Sequence, residues 1–335
     1  MSYWAERTIA VAGGLGFIGS HFVEQLLAQG ANVVCLHRTR RDDVIAELSG
    51  SDRLDLRQVD LLDDAELSAC FDDIAPRLDA VVHCAALNGN LDFKIRNAAR
   101  ILDVNLRMTS NILNCARAHH VQDVVVLSSA DVYAMPTATS LREEDDFQTR
   151  MEYTANGYAM SKTYVEVLAN FYRTQFDMNI FLPRPVNVYG PRDNFHDENM
   201  PVIPAVIDRV AAGREIEIWG DGSQARSFVH AEDLVRAILQ MVEVNKYQTL
   251  NISTRESVSI LELVRLVSSV LGQPERFRLD PAKPAGTTPS TLDVTKMDEV
   301  VDFEFRPLRQ GLLETAQWYR HHRATYPHTS LLPVG

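Results

Sequence analysis

The chain has 335 residues, with 33 Lys and Arg against 45 Asp and Glu, a formal net charge of −12 at pH 7. That length allows about two domains. A content of 46% hydrophobic residues excludes a largely disordered chain, and the acidic balance argues against nucleic acid or an anionic membrane as partner. No apolar run approaches the roughly 18 residues of a membrane span. There is no signal-peptide layout, and four scattered cysteines without Cys-x-x-Cys fit a reducing cytoplasm. They offer neither a zinc site nor a disulfide framework, so a cytoplasmic protein without a metal is expected.

In chain order, an apolar run at 8–11 ends in glycines, and residues 18–29 then carry apolar side chains at helical spacing. β-branched runs follow at 31–36, 79–84 and 121–127, the last two each after a helical stretch. Short apolar strands alternating with amphipathic helices predict βαβ units and an α/β fold, a doubly wound parallel sheet of Rossmann type. The second half differs. Pro and Gly cluster at 183–191, 201–204, 213–222 and 272–289, around helical stretches at 231–243 and 259–271. This pattern predicts a smaller interleaved domain. Residues 1–187 plus about 225–253 would bind a cofactor, 188–224 plus 254–325 would bind substrate, and 326–335 would be a tail.

Gly13-Gly14-Leu15-Gly16-Phe17-Ile18-Gly19 joins the first strand to the first helix. Glycines there let a pyrophosphate approach backbone N–H groups and the positive end of the helix, which points to a dinucleotide. At the end of the second strand, an acidic residue would bind the ribose 2′-hydroxyl of NAD. His37-Arg38-Thr39-Arg40-Arg41 stands there instead. Guanidinium groups bind a 2′-phosphate, so NADP is favoured over NAD. The alternative is a solvated basic loop balanced by Asp42 and Asp43. Asp60, after the third strand, is a candidate for the adenine amino group.

Tyr158 and Lys162 are four residues apart and share a face if the segment is helical. A phenol is a poor acid–base group at neutral pH unless a nearby ammonium stabilises the phenolate. The run at 121–127 ends in Ser128-Ser129, where parallel strands place their ligands.

Taken together, several motifs resemble the extended short-chain dehydrogenase/reductases, in their nucleotide-sugar (epimerase/dehydratase) branch. They are Gly13-x-x-Gly16-x-x-Gly19, Ser129, Tyr158-x-x-x-Lys162, Asn105 within 103–106, His83-Cys84-Ala85-Ala86, residues 183–191 and residues 226–234. The resemblance runs from residue 8 to about 320. Arg38-Thr39-Arg40, residues 187–196 and Val202-Ile203-Pro204 are similar to the GDP-fucose synthase subgroup. The resemblance implies that Ser129 and Tyr158 polarise and protonate the sugar O4 and that Lys162 holds the nicotinamide ribose. It implies a cofactor-binding set of Gly13, Gly16, Phe17, Ile18, Gly19, His37, Arg38, Arg40, Asp60, Leu61, Ala85, Ala86, Asn105 and Lys162. Asn187, Val202 and Arg226 join Ser129 on the substrate side, with Arg226 at the diphosphate. It also implies a homodimer through helices at about 100–119 and 154–176, whose apolar residues (Ile101, Leu106, Ile112, Leu113; Tyr164, Val165, Leu168, Phe171, Tyr172) exceed one stripe.

Two departures bear on the chemistry. The subgroup's Cys and His for epimerisation at C3 and C5 fall on Asp131 and Pro201 here, and proline carries no proton. Asp131 is either a base on one carbon or a strand-end carboxylate bonded to backbone N–H groups. In the related 4,6-dehydratases that position is Glu and its partner acid falls on Ala130. A basic residue expected before Leu292-Asp293-Val294 is also missing, since Pro289-Ser290-Thr291 stands there. The primary expectation is therefore NADPH-dependent reduction of the C4 ketone of a nucleotide-linked 4-keto-6-deoxyhexose, without full 3,5-epimerisation. The alternatives are a 4-epimerase or dehydratase with transiently reduced NAD(P), and a non-catalytic NADP-binding sensor. His196 is a candidate substrate contact, His119-His120 a helix end, Cys84 a buried thiol, and 143–146 a solvated acidic loop.

Overall fold

A computed structural model describes residues 2–48, 50–74, 76, 78–133, 140–145, 153–195, 199–283 and 291–323. The first half runs β1 (Thr8–Ala12), α1 (Phe17–Ala28), β2 (Asn32–His37), α2 (Asp42–Leu48), β3 (Leu54–Gln58), α3 (Asp64–Ile74) and β4 (Ala80–His83). Then come α4 (Leu91–Arg96), α5 (Ala98–Ala118), β5 (Asp123–Val126), a 3₁₀ turn (Ala130–Tyr133), β6 (Ser140–Leu141), α6 (Gly157–Phe176) and β7 (Asn179–Pro185). The second half contains β8 (Asn187–Tyr189), α7 (Val202–Ala211), β9 (Ile216–Trp219), β10 (Ala225–Arg226), β11 (Phe228–His230) and α8 (Ala231–Val244). It closes with β12 (Thr249–Ile252), β13 (Val258–Ser259), α9 (Ile260–Leu271), β14 (Phe277–Asp280), β15 (Thr291–Leu292), α10 (Thr295–Asp298) and α11 (Leu308–His322).

Seven strands form one parallel sheet in the order β12-β7-β5-β4-β1-β2-β3. β1 is buried at all five positions, as a strand covered on both faces must be. On one face, Phe22, Val23 and Leu26 of α1 meet Leu234, Val235 and Ile238 of α8. On the other, Leu67 and Phe71 of α3, Ile112 and Leu113 of α5 and Val165 of α6 form a second core. The expected doubly wound sheet is present. The order reverses direction beside β1, so a crevice opens between the loops after β1 and β4.

A third core gathers Ile203, Val206 and Ile207 of α7, Leu263, Val264 and Val267 of α9, and Leu312, Ala316 and Tyr319 of α11. Four two-stranded pieces, β8–β11, β9–β14, β10–β13 and β6–β15, complete the pairing among the described residues. No helix among those residues is long and apolar enough to cross a membrane.

β7 carries Pro183 and Pro185 inside the sheet, where proline normally marks an edge. The ladder tolerates it because of where the groups point. Leu182 donates its N–H to the Gln248 carbonyl, on the β12 side. Pro183 turns to the other side, where its carbonyl accepts from Ser128, beyond the last β5–β7 pair, Val125 with Phe181.

Candidate active site

The glycine loop after β1 fits a dinucleotide cradle. Gly13 and Gly14 donate to the Leu36 carbonyl, and Gly16 donates to the Gly13 carbonyl at 2.8 Å. Gly13 has φ +83°, in the left-handed region that glycine tolerates. A Cβ on Gly19 would stand 2.1 Å from the Gly13 oxygen, so that glycine serves close packing of helix on strand. Gly16 is exposed, and a Cβ there would meet only the Gly13 oxygen, at 3.0 Å. It caps α1 without a side-chain bond, and no acidic residue occupies the first turn. The first-turn N–H groups, from Phe17, Ile18 and Gly19, are left for an anion. Ala85 lies opposite and donates its N–H to the Ala12 carbonyl, and Ala86 is exposed beside it.

The loop after β2 is mixed. Arg38, Thr39 and Arg40 are exposed. Arg40 Nε lies 2.7 Å from Asp42 Oδ1, and Arg41 pairs with Asp43 at 2.7 Å. His37 is buried, and burial, aided by Arg40, lowers its pKa. The carboxylate of Asp60 accepts from the Leu62 N–H at 3.0 Å, and Leu61 is buried with its carbonyl accepting from Asn111.

The two serines at the end of β5 lead in different directions. Ser128 is 1% exposed and donates to Glu166, which is held by Arg184 through Nε at 2.9 Å and Nη2 at 2.5 Å. Ser129 is half-buried and faces Tyr158, and its Oγ accepts from the Asp131 N–H at 3.1 Å. Tyr158 and Lys162 lie on α6, whose start is capped by Asn156 accepting from the N–H groups of Tyr158 and Ala159. Lys162 Nζ donates to the Leu127 carbonyl at 2.5 Å and stands 5.6 Å from the centre of the Tyr158 ring. Burial lowers the Lys162 ammonium to about 8, against the opposing pull of Cys84, Glu166 and Asp131. Burial and then the Asp131 carboxylate push the Tyr158 phenol up, while the neighbouring Ser129 hydroxyl pulls it down.

Among the described residues, no backbone N–H donates to the Asp131 carboxylate. Its Oδ2 pairs with Lys94 Nζ at 3.1 Å, and Lys94 stands 4.5 Å from the centre of the Tyr158 ring. Lys94 comes from α4 and escapes sequence reasoning, since no spacing links it to Asp131 or Tyr158. Asn105 is 2% exposed, and its amide clamps Leu87 by accepting from its N–H and donating to its carbonyl. It also donates to Ser161, so it acts on the cofactor crevice through the loop after β4. Cys84 is raised to about 12 by burial, which suits the expected inert thiol.

The acidic loop expected at 143–146 is corrected in part. Glu143 is 6% exposed and accepts from the Asn251 N–H at 2.8 Å, because it satisfies backbone at the end of β12. Glu144 is exposed, and Asp146 lies outside the described residues.

Of the residues expected at the substrate, Asn187 is exposed and its amide donates to the Ser227 carbonyl at 3.1 Å. Arg226 is half-buried on β10, with Nη1 donating to the Ala225 carbonyl, and burial lowers its pKa. Pro201 caps α7 without a side-chain bond, and Val202 opens that helix half-buried. His196, Pro289 and Ser290 lie outside the described residues. His230, Glu232 and Glu314 lie close enough to hold a cation. Arg306 already bridges Glu232 and Glu314, so this trio needs no metal.

Comparison with known proteins agrees with this geometry. The profile of the NAD dependent epimerase/dehydratase family matches residues 9–253. A "dTDP-4-dehydro-6-deoxy-D-allose reductase" of Streptomyces bikiniensis is 52% identical over 95% of this chain and 98% of its own. A "Probable GDP-L-fucose synthase 1" of Oryza sativa subsp. japonica is 30% identical over 95% of this chain and 94% of its own. The crystal structure of a dTDP-glucose 4,6-dehydratase from Streptomyces venezuelae superposes with a TM-score of 0.83 at 26% identity, covering 95% of this chain and 98% of that one. With the sheet, the glycine cradle and the Ser129–Tyr158–Lys162 corner in place, the chain belongs to the NAD dependent epimerase/dehydratase family.

Proposed function

We propose that this chain reduces the C4 ketone of a dTDP-linked 4-keto-6-deoxyhexose with NADPH, leaving C3 and C5 unchanged. The observation that carries the reading is the Ser129–Tyr158–Lys162 corner beside the glycine cradle. When bound, the reduced nicotinamide supplies hydride to C4. Ser129 donates a hydrogen bond to the ketone oxygen, its Oγ being oriented by the Asp131 N–H. Tyr158 then gives its proton to that oxygen as negative charge develops. Lys162 holds the ribose and stabilises the resulting phenolate. The dTDP group and D-allo sugar follow the names of the 52% identical relatives.

Reduction is favoured over dehydration because Asp131 is engaged by Lys94 and neither Ala130 nor Pro201 transfers a proton, and over 4-epimerisation because the basic loop after β2 suits NADPH, which net reduction consumes. The NADPH preference rests on the basic loop after β2, where Arg38 and Arg40 are exposed and no acidic residue stands at the strand end. The interleaved units given above divide the work, with Asn187, Val202 and Arg226 holding the nucleotide sugar. The protein is proposed to be cytoplasmic and a homodimer. Of the residues expected at the interface, Ile101, Ile112, Leu113 and Val165 are buried within the subunit, so they serve its own core. Tyr164 and Phe171 of α6 are exposed and, with exposed Leu91 and Ile95 of α4, offer the apolar face. A monomeric mass by light scattering at micromolar concentration would contradict the dimer.

The test follows the reduced-nicotinamide absorbance while the protein acts on dTDP-4-dehydro-6-deoxy-D-allose. One NADPH lost per sugar reduced is expected. Product without cofactor loss would replace this reading with the epimerase or dehydratase cycle.

A further inference from the structure

Among the described residues, the cation nearest the Tyr158 ring is Lys94, at 4.5 Å from its centre, with Lys162 at 5.6 Å. Lys162 is also committed to the Leu127 carbonyl. Lys94 is delivered by a built piece of chain. Asn90 caps α4 by accepting from the Phe93 N–H at 3.0 Å, and Phe93 is buried against Gly89, where a Cβ would stand 2.7 Å from the ring. At the other end, a Cβ on Gly157 would stand 2.3 Å from Ala98 Cα, so glycine alone lets α6 close onto the start of α5. The Lys94 and Asp131 side chains are 17% and 38% exposed, open enough to face a substrate yet held at 3.1 Å.

We propose that Lys94, steered by Asp131, is a positioning residue that sets the acidity of Tyr158 as proton donor. An ammonium over the ring favours phenolate more than phenol, whereas a carboxylate nearby favours the phenol. The two charges act on Tyr158 with opposite signs, and their pairing fixes the balance. Among the described residues, the other groups facing this corner are Lys162 and, behind it, Glu166 of α6 and Cys84 and His83 at the end of β4. From α5 the contact is Asn105, which is uncharged. The proposal rests on the reading of Tyr158 as proton donor, but its test needs no turnover.

The test replaces tyrosine throughout with 3,5-difluorotyrosine, whose phenol ionises nearer neutrality, and follows the full chain by fluorine NMR against pH. The Tyr158 signal is the one lost in Tyr158→Phe. Lys94→Met is expected to raise its midpoint by about one pH unit. Lys94→Arg should stay close to the parent, and Asp131→Asn should lower the midpoint. The Lys94→Met/Asp131→Asn double variant should return near the parent value. An unmoved or lowered midpoint in Lys94→Met overturns the proposal, and so does an unmoved or raised midpoint in Asp131→Asn. Asp131→Asn therefore decides the matter even if Lys94→Met fails to fold. Failure here leaves the NADPH-consumption test untouched, and failure of that test leaves these midpoints untouched.

Discussion

Ser128 and Ser129 are neighbours, yet they enter two ionic networks with opposite properties. Ser128 joins Glu166 and Arg184, whose side chains are 0% and 1% exposed. Arg184 also donates to Tyr133 and to the Glu143 carbonyl, and Tyr133 donates to Asn251. That network ties the end of β5 to β7, α6 and β12. Ser129 joins Tyr158, Asp131 and Lys94, which keep an open side. Successive residues at a strand end point to opposite faces, so one serine goes to scaffold and the next to the proposed reaction corner. Saturated and dry marks the first, and partly open with opposed charges marks the second.

The largest effect should come from the open network. Tyr158→Phe should cut kcat by about 10²–10⁴, with NADPH binding by fluorescence titration little changed. A loss below tenfold would remove Tyr158 from the proton step. Arg184→Met attacks the closed network and leaves Glu166 buried without its partner. It should cost about 3–5 kcal/mol of stability in urea titration, while the rate per folded molecule holds in the cold. Full stability with lost activity would erase the distinction between the two networks.

Lys162 sharpens the comparison through pH. Its ammonium is held at about 8 by burial, so it is charged below that pH and neutral above it. Loss of the charge makes phenolate less favourable and Tyr158 a weaker acid, so kcat should fall as pH rises through about 8. Lys162→Arg cannot lose its charge in that range and should flatten this limb, even at a lower rate. The smallest effect belongs outside both networks. Arg38→Asp should erase or invert the NADPH preference, since one guanidinium–phosphate pair contributes about 1.5–3 kcal/mol. Equal affinities of the parent protein for NADPH and NADH would defeat it.

Legibility in the sequence follows the same division. The cradle was readable because Gly13, Gly16 and Gly19 act within one turn, and Tyr158 and Lys162 because a helix puts them on one face. The alternation of apolar runs announced the sheet. β7 was hidden by Pro183 and Pro185, whose tolerance depends on how far β5 extends beside them. Lys94, Glu166 and Arg184 were hidden for a related reason. Their partners are 37, 38 and 18 residues away, so only the fold brings them together. Glu143 looked like surface because an acidic run usually is, and its burial depends on the Asn251 N–H of β12, whose hydrogen bond it accepts.

The central claim is reduction at C4 with C3 and C5 left alone, and isotope placement in the product tests it most directly. The reaction would be run in deuterated water with NADPH and dTDP-4-dehydro-6-deoxy-D-allose, and the sugar examined by NMR. Protium from the cofactor at C4, with no solvent deuterium at C3 or C5 above the enzyme-free exchange, is the predicted result. Solvent deuterium entering C3 or C5 faster than that exchange would contradict it, and would show that a side chain such as Asp131 works as a base despite its bond to Lys94.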